Sequence, residues 1–403
     1  MKTLDKFLRY VAVDTESVPD QEAVPSSEKQ KNLSAMLASE LEKMGAQNVR
    51  MDERGYVYAL IPANKSQSKT RLGFIGHVDT SCAVSGANIK PVITRNYDGG
   101  VIKMSENYKL DPAEYPTLLN HKGETVVCTD GSTLLGADDK AGVAEIMQLA
   151  QILLTDKSIV HGEIGIAFTP DEEVGRGADF FDIKGFGCDF AYTIDGGAVG
   201  EIEYENFNAA SVDITIRGIS IHPGLSKNKM LNALLVAMEL NSMLPPDQIP
   251  AYTQDYEGFF HLDEIHGTVD NAKIGYIIRD HDMKKFTQKK EFMRKVCDYL
   301  NEKYGEGTVT LKMKDSYYNM VEKIKPHMHL IENAEKAMIQ AGVKPLVIPI
   351  RGGTDGARLS FEGLPCPNLC MGGYNCHGRY EYVTEESMDK IVEILVNISK
   401  LYA

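Results

Sequence analysis

The chain has 403 residues, of which 43% are hydrophobic, and it carries a formal net charge of −14 with a sequence pI near 5.3. Because this length exceeds the size at which one hydrophobic core stops growing, we expect two domains. The excess of acidic residues argues against nucleic-acid binding, which needs clustered Lys and Arg. The composition therefore predicts a globular protein without a nucleic-acid partner.

Seven cysteines are scattered along the chain, without CxxC pairs or the density of a disulfide scaffold. The N-terminal segment MKTLDKFLRYVAV has the pattern of an amphipathic helix, and its charges interrupt any signal-peptide core. No apolar run approaches the roughly 20 residues that a membrane-spanning helix needs. We therefore expect a cytoplasmic protein that does not associate with a membrane.

The first 200 residues alternate helical and strand patterns. Ser27 and Gln30 form a predicted capping box that opens a helix, and Gly45 stands where that helix would end. Short apolar runs predict strands over residues 56–61, 72–75, 164–168 and 190–194, with a helix over 141–154. This alternation predicts an α/β fold in which helices flank a mixed, mostly parallel sheet.

Near Phe207 the pattern changes to that of a small α+β domain with one solvated sheet face. The predicted order is a strand over 210–217, a helix over 230–244, a strand over 273–279, a helix over 286–304 and a strand over 309–314. Around Tyr317 the first pattern returns, and the chain ends in a helix capped by Thr384. We therefore predict a discontinuous domain formed by residues 1–207 and 317–403, and an inserted domain formed by residues 208–316.

Five polar clusters lie at the ends of apolar runs: GHVDT, GADDK, PDEE, IDGG and NCHG. Each alone has an ordinary explanation, such as an exposed loop histidine, a helix N-cap or a solvated acidic turn. Open α/β sheets, however, bind their ligands at the carboxyl ends of strands. Adjacent carboxylates also repel one another unless a cation offsets their charge. Together the clusters predict a hydrolytic site that holds two metal ions.

The set of imidazoles and carboxylates without a thiolate pair favours Zn²⁺, with Mn²⁺ or Co²⁺ as substitutes. No GxxxxGK[ST] or strand-linked GxGxxG motif is present, so the sequence does not indicate a nucleotide.

In chain order, GHVDT, LLGADDKAG, FTPDEEVG, YTIDGG, IHPG, IIRDHD, SYYNM, PIRGGTDGA and GGYNCHG closely resemble the tripeptide aminopeptidase (peptidase T) branch of the di-zinc aminoacylase and carboxypeptidase superfamily. The resemblance implies two Zn²⁺ per subunit in a catalytic domain, and an inserted lid or dimerisation domain in a homodimer. It implies release of the N-terminal residue from tripeptides by a zinc-activated water with a Glu general base. The alternatives are a dipeptidase, aminoacylase or carboxypeptidase of the same superfamily, or a metal-stabilised binding protein that has lost catalysis.

The resemblance implies five metal ligands: His77, Asp138, Glu173, Asp195 and His377. His77 and Asp195 would bind one zinc, Glu173 and His377 would bind the other, and Asp138 would bridge the two.

Asp139 is the second choice for the bridge, because alignment on the following lysine selects Asp138. Asp79 would orient the first histidine, Glu172 would be the general base, and His222 would polarise the scissile carbonyl, either from a partner subunit or in cis after a closing motion. Four further residues would hold the substrate: Arg279, Arg351, Gly353 and Thr354.

Overall fold

The computed structural model of the chain describes residues 2–403. The α-helices of these residues are α1 (Thr3–Val11), α2 (Gln30–Met44), α3 (Ala137–Thr155), α4 (Ile183–Phe186), α5 (Ala233–Met243), α6 (Met283–Tyr304), α7 (Val321–Ile324), α8 (His329–Gln340), α9 (Asp355–Phe361) and α10 (Glu385–Leu401). None of the helices in residues 2–403 is long and apolar enough to cross a membrane. All seven cysteines are free thiols.

The strands of residues 2–403 are β1 (Gln47–Met51), β2 (Val57–Ile61), β3 (Leu72–His77), β4 (Pro91–Thr94), β5 (Ile102–Lys103), β6 (Lys109–Leu110), β7 (Val126–Thr129), β8 (Ile164–Thr169), β9 (Phe190–Gly196), β10 (Glu201–Glu203), β11 (Asn208–Arg217), β12 (Phe259–Gly267), β13 (Asn271–Asp280), β14 (Val309–Tyr317), β15 (Leu346–Val347), β16 (Asn368–Cys370), β17 (Gly373–Tyr374) and β18 (Tyr382–Thr384).

The chain divides into two compact units. The first contains Met1–Tyr204, Glu322–Ile348 and Thr354–Ala403, and the second contains Glu205–Val321 and Pro349–Gly353.

The segment Pro349–Gly353 is part of the second unit, whereas the sequence analysis assigned it to the discontinuous domain. Hydrogen bonds explain the difference. The backbone N–H of Ile350 donates to the carbonyl of Glu205 at 2.8 Å, and the Ile350 carbonyl lies 2.9 Å from Nε2 of His281. A segment held in this way has no periodic apolar face, so its sequence pattern does not reveal which unit contains it.

The first unit is built on an eight-stranded sheet with the order β1-β2-β8-β3-β9-β16-β10-β15. The central strands β8, β3, β9 and β16 are parallel, while β1, β2 and β10 pair with antiparallel neighbours. Every residue of β3 and β8 is buried, as the continuous apolar runs predicted. The prediction of a mixed sheet flanked by helices is therefore confirmed, and the carboxyl ends of β3, β8 and β9 meet at one edge of this sheet.

Helix α2 begins at Gln30 and not at Ser27, so the predicted capping box does not form. The Gln30 side chain is fully buried and bonds instead to Asp171, donating to its carboxylate at 2.7 Å and accepting from its backbone N–H at 3.1 Å. Gly45 ends the helix as predicted, in the left-handed conformation with φ of 92° that glycine adopts without steric cost. The predicted start of the helix was wrong because Asp171, which is distant in the chain, binds the side chain of Gln30.

The second unit contains a four-stranded antiparallel sheet with the order β12-β13-β11-β14. Alternate residues of β11 and β13 are buried and pack against α5 and α6, which agrees with the predicted single buried face. Strand β12 was missed. Most of its residues are exposed, so this edge strand lacks the apolar alternation by which strands are recognised.

Candidate functional site

The predicted site residues of the first unit lie where three parallel strands end. His77 is the last residue of β3 and pairs with Thr169, the last residue of β8. On the other side of β3, Ile75 pairs with Thr193 of β9, which brings His77 level with Asp195. The register of the sheet thus places these side chains at a common edge, as parallel strands in open sheets do.

Two imidazoles approach three carboxylates at this edge. Nε2 of His77 lies 2.9 Å from Oδ1 of Asp138 and 3.4 Å from Oδ1 of Asp195. Nε2 of His377 lies 3.0 Å from Oδ2 of Asp138 and 3.0 Å from Oε2 of Glu173. The carboxylate of Asp138 therefore stands between the two imidazoles, with one oxygen facing each.

The tandem acids have different surroundings. The Asp139 side chain is fully buried, and its Oδ2 accepts a hydrogen bond from the backbone N–H of His77 at 3.0 Å. Asp139 thus holds the end of strand β3, whereas the Asp138 carboxylate faces the imidazoles.

Asp79 connects strand β3 to the acidic turn after β8. Its two carboxylate oxygens accept the backbone N–H groups of Glu172 at 3.0 Å and Glu173 at 3.1 Å. Oδ1 also lies 3.3 Å from Nδ1 of His77, on the side of the ring opposite the nitrogen that faces Asp138. One buried carboxylate thereby fixes both the imidazole and the turn that carries the two glutamates.

Burial and mutual repulsion disfavour ionisation of several acids of the cluster. Burial raises the pKa of Glu173 to about 7 and that of Asp195 to about 6, with the charge of Asp138 adding to both shifts. Burial, with the neighbouring charge of Asp195, raises the pKa of Glu172 well above its usual value. By contrast, burial alone would raise the pKa of Asp138, but hydrogen bonds from the two imidazoles lower it.

Both histidines favour the protonated form in the absence of a cation. Hydrogen bonds to Asp138 and Glu173 raise the pKa of His377 to about 11. Burial alone would lower the pKa of His77, but the carboxylates of Asp195, Asp138 and Asp79 raise it well above its usual value. The cluster therefore draws positive charge to its centre, which is the role that a dication fills in such sites.

The chemistry of the cluster fits divalent metal ions. Ligand atoms of His77, Asp138 and Glu173 lie within 4.8 Å of one another, as do those of His77, Glu172 and Asp195. Oε1 of Glu173 is buried and has no hydrogen-bond partner, although a buried carboxylate oxygen normally has one. Nitrogen and oxygen donors without thiolates are the ligands that Zn²⁺ and neighbouring first-row ions accept.

In the second unit, the guanidinium of Arg351 is engaged by the protein itself. It donates to the carbonyls of Asp255 and Glu257 at 2.7 and 3.1 Å, and to the carbonyl and hydroxyl of Thr253 at 3.2 and 3.0 Å. Arg279 differs, because its buried Nε has no hydrogen-bond partner while one terminal nitrogen donates to the carbonyl of Arg351 at 3.1 Å. Both terminal nitrogens of Arg351 are thus bonded to the protein, whereas Arg279 has a buried donor without a partner.

The remaining predicted residues fall into both units. His222 is exposed in the second unit, and its Nδ1 accepts the N–H of Gly224 at 3.2 Å, which leaves Nε2 as the ring donor. Gly353, also in the second unit, lies against the ring of Tyr317. Thr354 belongs to the first unit, where its buried hydroxyl caps helix α9 and lies 3.2 Å from Asn368.

Two buried acids near the cluster were not singled out from the sequence. Asp355 accepts a hydrogen bond from the hydroxyl of Thr169 at 3.0 Å, and burial raises its pKa to about 7. Glu381 accepts backbone N–H groups of the segment that leads to Asp138. Asp355 lies within the GGTDG motif, and Glu381 lies four residues after His377. Nothing in the local sequence of either residue distinguishes it from an acid on the surface.

Comparisons with known proteins agree with this fold. The family model described as Peptidase family M20/M25/M40 matches residues 134–400. A Halothermothrix orenii protein named Peptidase T is 52% identical over 404 residues, covering 100% of this chain and 99% of its own length. The crystal structure of aminopeptidase PepT from Bacillus cereus has a TM-score of 0.78 at 23% identity, covering 100% of this chain and 98% of that one.

A Bacillus subtilis structure described as a dinuclear metal binding peptidase from the M20 family has a TM-score of 0.65 at 16% identity, with 99% of this chain and 96% of that one covered. At these identities the two structural likenesses show the fold. The family model and the 52% identical relative go further. The chain therefore belongs to peptidase family M20/M25/M40.

Proposed function

We propose that this chain is a metal-dependent aminopeptidase that releases the N-terminal residue from tripeptides. The observation that carries the proposal is the approach of two imidazoles to one shared carboxylate, with His77 and His377 at 2.9 and 3.0 Å from the two oxygens of Asp138. The name of the H. orenii relative and the resemblance described above support the tripeptide substrate.

His77, Asp138 and Asp195 would hold one metal ion, and Asp138, Glu173 and His377 would hold the other. Two bound dications would supply Lewis-acid chemistry that lowers the pKa of a water molecule and polarises a peptide carbonyl. Zn²⁺ is the proposed ion, with Mn²⁺ or Co²⁺ as substitutes, because the donors are nitrogen and oxygen atoms without thiolates.

Glu172 is the proposed general base. It would take a proton from the attacking water and return it to the scissile amide nitrogen, which becomes the new N-terminus of the departing dipeptide. Its backbone N–H is fixed by Asp79 at 3.0 Å, so the side chain starts from a held position beside His77 and Asp195. A raised pKa suits this task, because the carboxylate must accept a proton and release it in each turnover.

Two residues of the second unit are proposed to bind the substrate carboxylate and to stabilise the reacting carbonyl. Arg279 is proposed to bind the substrate carboxylate, since its Nε is an unpaired buried donor and guanidinium forks match carboxylates. His222 is proposed to donate from Nε2 to the carbonyl oxygen as negative charge develops. Three predictions remain: that His222 acts from a partner subunit, that the chain forms a homodimer through this unit, and that the protein is cytoplasmic. Sedimentation velocity would measure the oligomeric state.

The decisive experiment combines metal analysis with a Glu172→Gln substitution. We expect the wild-type protein to hold two metal ions and to cleave a tripeptide with a free N-terminus, and the variant to keep both metals while losing most turnover. Glu163→Gln is the matched control, because Glu163 directly precedes the first residue of the strand that leads to Glu172. Wild-type turnover in Glu172→Gln would remove this residue from the mechanism.

A substrate panel separates the alternatives within the superfamily. Initial rates on di-, tri- and tetrapeptides with free and blocked N-termini distinguish an aminopeptidase from a dipeptidase or a carboxypeptidase. Faster cleavage of N-acylated amino acids than of tripeptides would indicate an aminoacylase. Metal-loaded protein without activity on the whole panel would favour a binding protein.

A further inference from the structure

The carboxylate of Glu381 holds the segment that leads to Asp138. One oxygen accepts the backbone N–H groups of Leu135 and Gly136, each at 2.7 Å, and the other accepts that of Asp138 at 3.1 Å. Gly136 has a left-handed backbone, and Asp138 has a non-helical φ of −81° and ψ of 105°. These N–H groups precede the regular turns of α3, so the 1% exposed Glu381 supplies the acceptors that they would otherwise lack.

Glu381 and His377 belong to one turn, formed by residues 375–381 and called the His377 turn below. The N–H of Glu381 donates to the carbonyl of Gly378 at 3.3 Å, and the Asn375 side chain donates to the carbonyl of Tyr380 at 3.0 Å. Asn375 and His377 both have positive φ, at 55° and 62°, which residues other than glycine adopt only where the surroundings enforce it. These bonds and backbone conformations therefore fix the shape of the turn, which carries His377 in its first half and Glu381 at its end.

A second side chain ties the His377 turn to the same segment. The guanidinium of Arg379 donates to the carbonyls of Gly131 and Ser132 at 3.0 and 2.8 Å. The turn thus contacts the carbonyl groups at the start of residues 131–138 and the N–H groups at their end. Together with the contact between Asp138 and His377, which are 239 residues apart, these bonds join two distant parts of the chain.

Asp138 is held by the His377 turn at both its backbone and its side chain. Its N–H bonds to Glu381, and its carboxylate lies 3.0 Å from the imidazole of His377. The bond from the Asp138 N–H to Glu381, the turn from Glu381 back to His377, and the contact of His377 with the Asp138 carboxylate therefore form a closed loop of contacts. Loss of the Glu381 carboxylate would free the backbone of Asp138 and let its oxygens move relative to His377.

We propose that Glu381 is a positioning residue of the metal centre, which fixes the Asp138 carboxylate against His377 so that a metal ion finds both ligands already placed. This inference rests on the proposed metal-binding function. Outer groups that orient metal ligands typically contribute about 10- to 100-fold in metal affinity. A residue that merely capped α3 would change the stability of the metal-free protein and leave its metal affinity unaltered.

The test is Zn²⁺ titration of metal-free protein against a competing chelator, with the thermal unfolding temperature of the same metal-free samples as the stability measure. Glu381→Gln keeps the size of the side chain but removes one acceptor oxygen and the charge. Glu386→Gln is the matched control, because Glu386 accepts the backbone N–H of Thr125 at 2.8 Å and thus joins neighbouring segments without contacting Asp138. We expect Zn²⁺ affinity to fall about 10- to 100-fold in the first variant and to remain at the wild-type value in the second.

Glu381→Asp retains the charge and both oxygens, and we expect its affinity to lie between those of the wild type and Glu381→Gln. Wild-type Zn²⁺ affinity in Glu381→Gln overturns the inference and leaves the proposed function standing, whereas a wild-type protein that binds no metal overturns the proposed function itself. Should Glu381→Gln not fold, Arg379→Gln removes the other tie. Reduced Zn²⁺ affinity in that variant supports the inference, and wild-type affinity overturns it.

Discussion

Replacing Gly142 with alanine would push apart the helix and the strand that carry the acids of the site. Gly142 is buried in the first turns of α3. A Cβ built on it would lie less than 3.0 Å from the backbone carbonyl oxygen of Ile194, which directly precedes Asp195, and from Oδ1 of Asp139. The same Asp139 carboxylate holds the backbone of His77, so the added methyl group would press on two sides of the cluster.

The magnitude follows from the atoms that would be displaced. A backbone carbonyl in a buried strand cannot rotate away as a side chain can, so α3 and β9 must separate. Overpacking of this kind costs about 1–3 kcal/mol of unfolding free energy. A displacement of roughly 1 Å at catalytic groups costs about 100-fold in rate. We therefore expect Gly142→Ala to lose metal and activity more severely than stability.

Three measurements on the same preparations test this expectation: urea unfolding of metal-free protein, bound metal after dialysis, and kcat/KM on a tripeptide. Gly162→Ala is the matched control, because Gly162 is also buried but its Cβ would lie 3.4 Å from the carbonyl oxygens of Thr70 and Tyr402, near the limit of ordinary contact. Wild-type metal content and kcat/KM in Gly142→Ala would refute the reasoning, since the packing of α3 on β9 would then not determine the geometry of the site.

Two further predictions concern buried carboxyl groups. Burial, with the charge of Asp389 adding to it, raises the pKa of Glu145 well above its usual 4.5, and neither carboxyl oxygen of Glu145 has a hydrogen-bond partner. The folded state therefore holds this proton more tightly than the unfolded state, and the unfolding free energy of the wild type falls by up to about 1.4 kcal/mol per pH unit between the unfolded and the folded pKa. In urea titrations, the stability of Glu145→Gln relative to wild type should therefore be greater at a pH of about 8 than at a pH of about 5.5. An equal difference in stability at the two pH values would count against this prediction. Asp79→Asn leaves one acceptor oxygen for the N–H groups of Glu172 and Glu173, so we expect a loss of about 10- to 100-fold in metal affinity or kcat, and unchanged metal binding and kinetics would show that the turn is held by other contacts.

Local sequence was sufficient where one side chain and its neighbours decide the structure. Gly45 ends α2 and Thr384 caps α10, as predicted, because each acts on groups within a few residues of itself. The capping box at Ser27 failed because Gln30 bonds to Asp171, and Pro349–Gly353 was placed in the wrong unit because its partners are distant in the chain. In the first case a long-range hydrogen bond competed with the local pattern, and in the second case the segment had no local pattern and long-range hydrogen bonds decided its unit.

The sequence by itself determined the mixed sheet, the family resemblance and the residue types that meet at the strand ends, since apolar runs and polar clusters are properties of short segments. Only the tertiary structure decided that Asp139 bonds to the backbone of His77 while Asp138 faces the imidazoles, that Arg351 is engaged by carbonyl groups while Arg279 keeps an unpaired nitrogen, and that Glu381 holds the backbone of Asp138. Apart from the family resemblance, which favoured Asp138 for the bridge, adjacent acids such as Asp138 and Asp139 look equivalent in a sequence. They differ in the fold because backbone direction sends one side chain under the strand and the other into the site, and such directions are set by contacts between residues that are far apart in the chain.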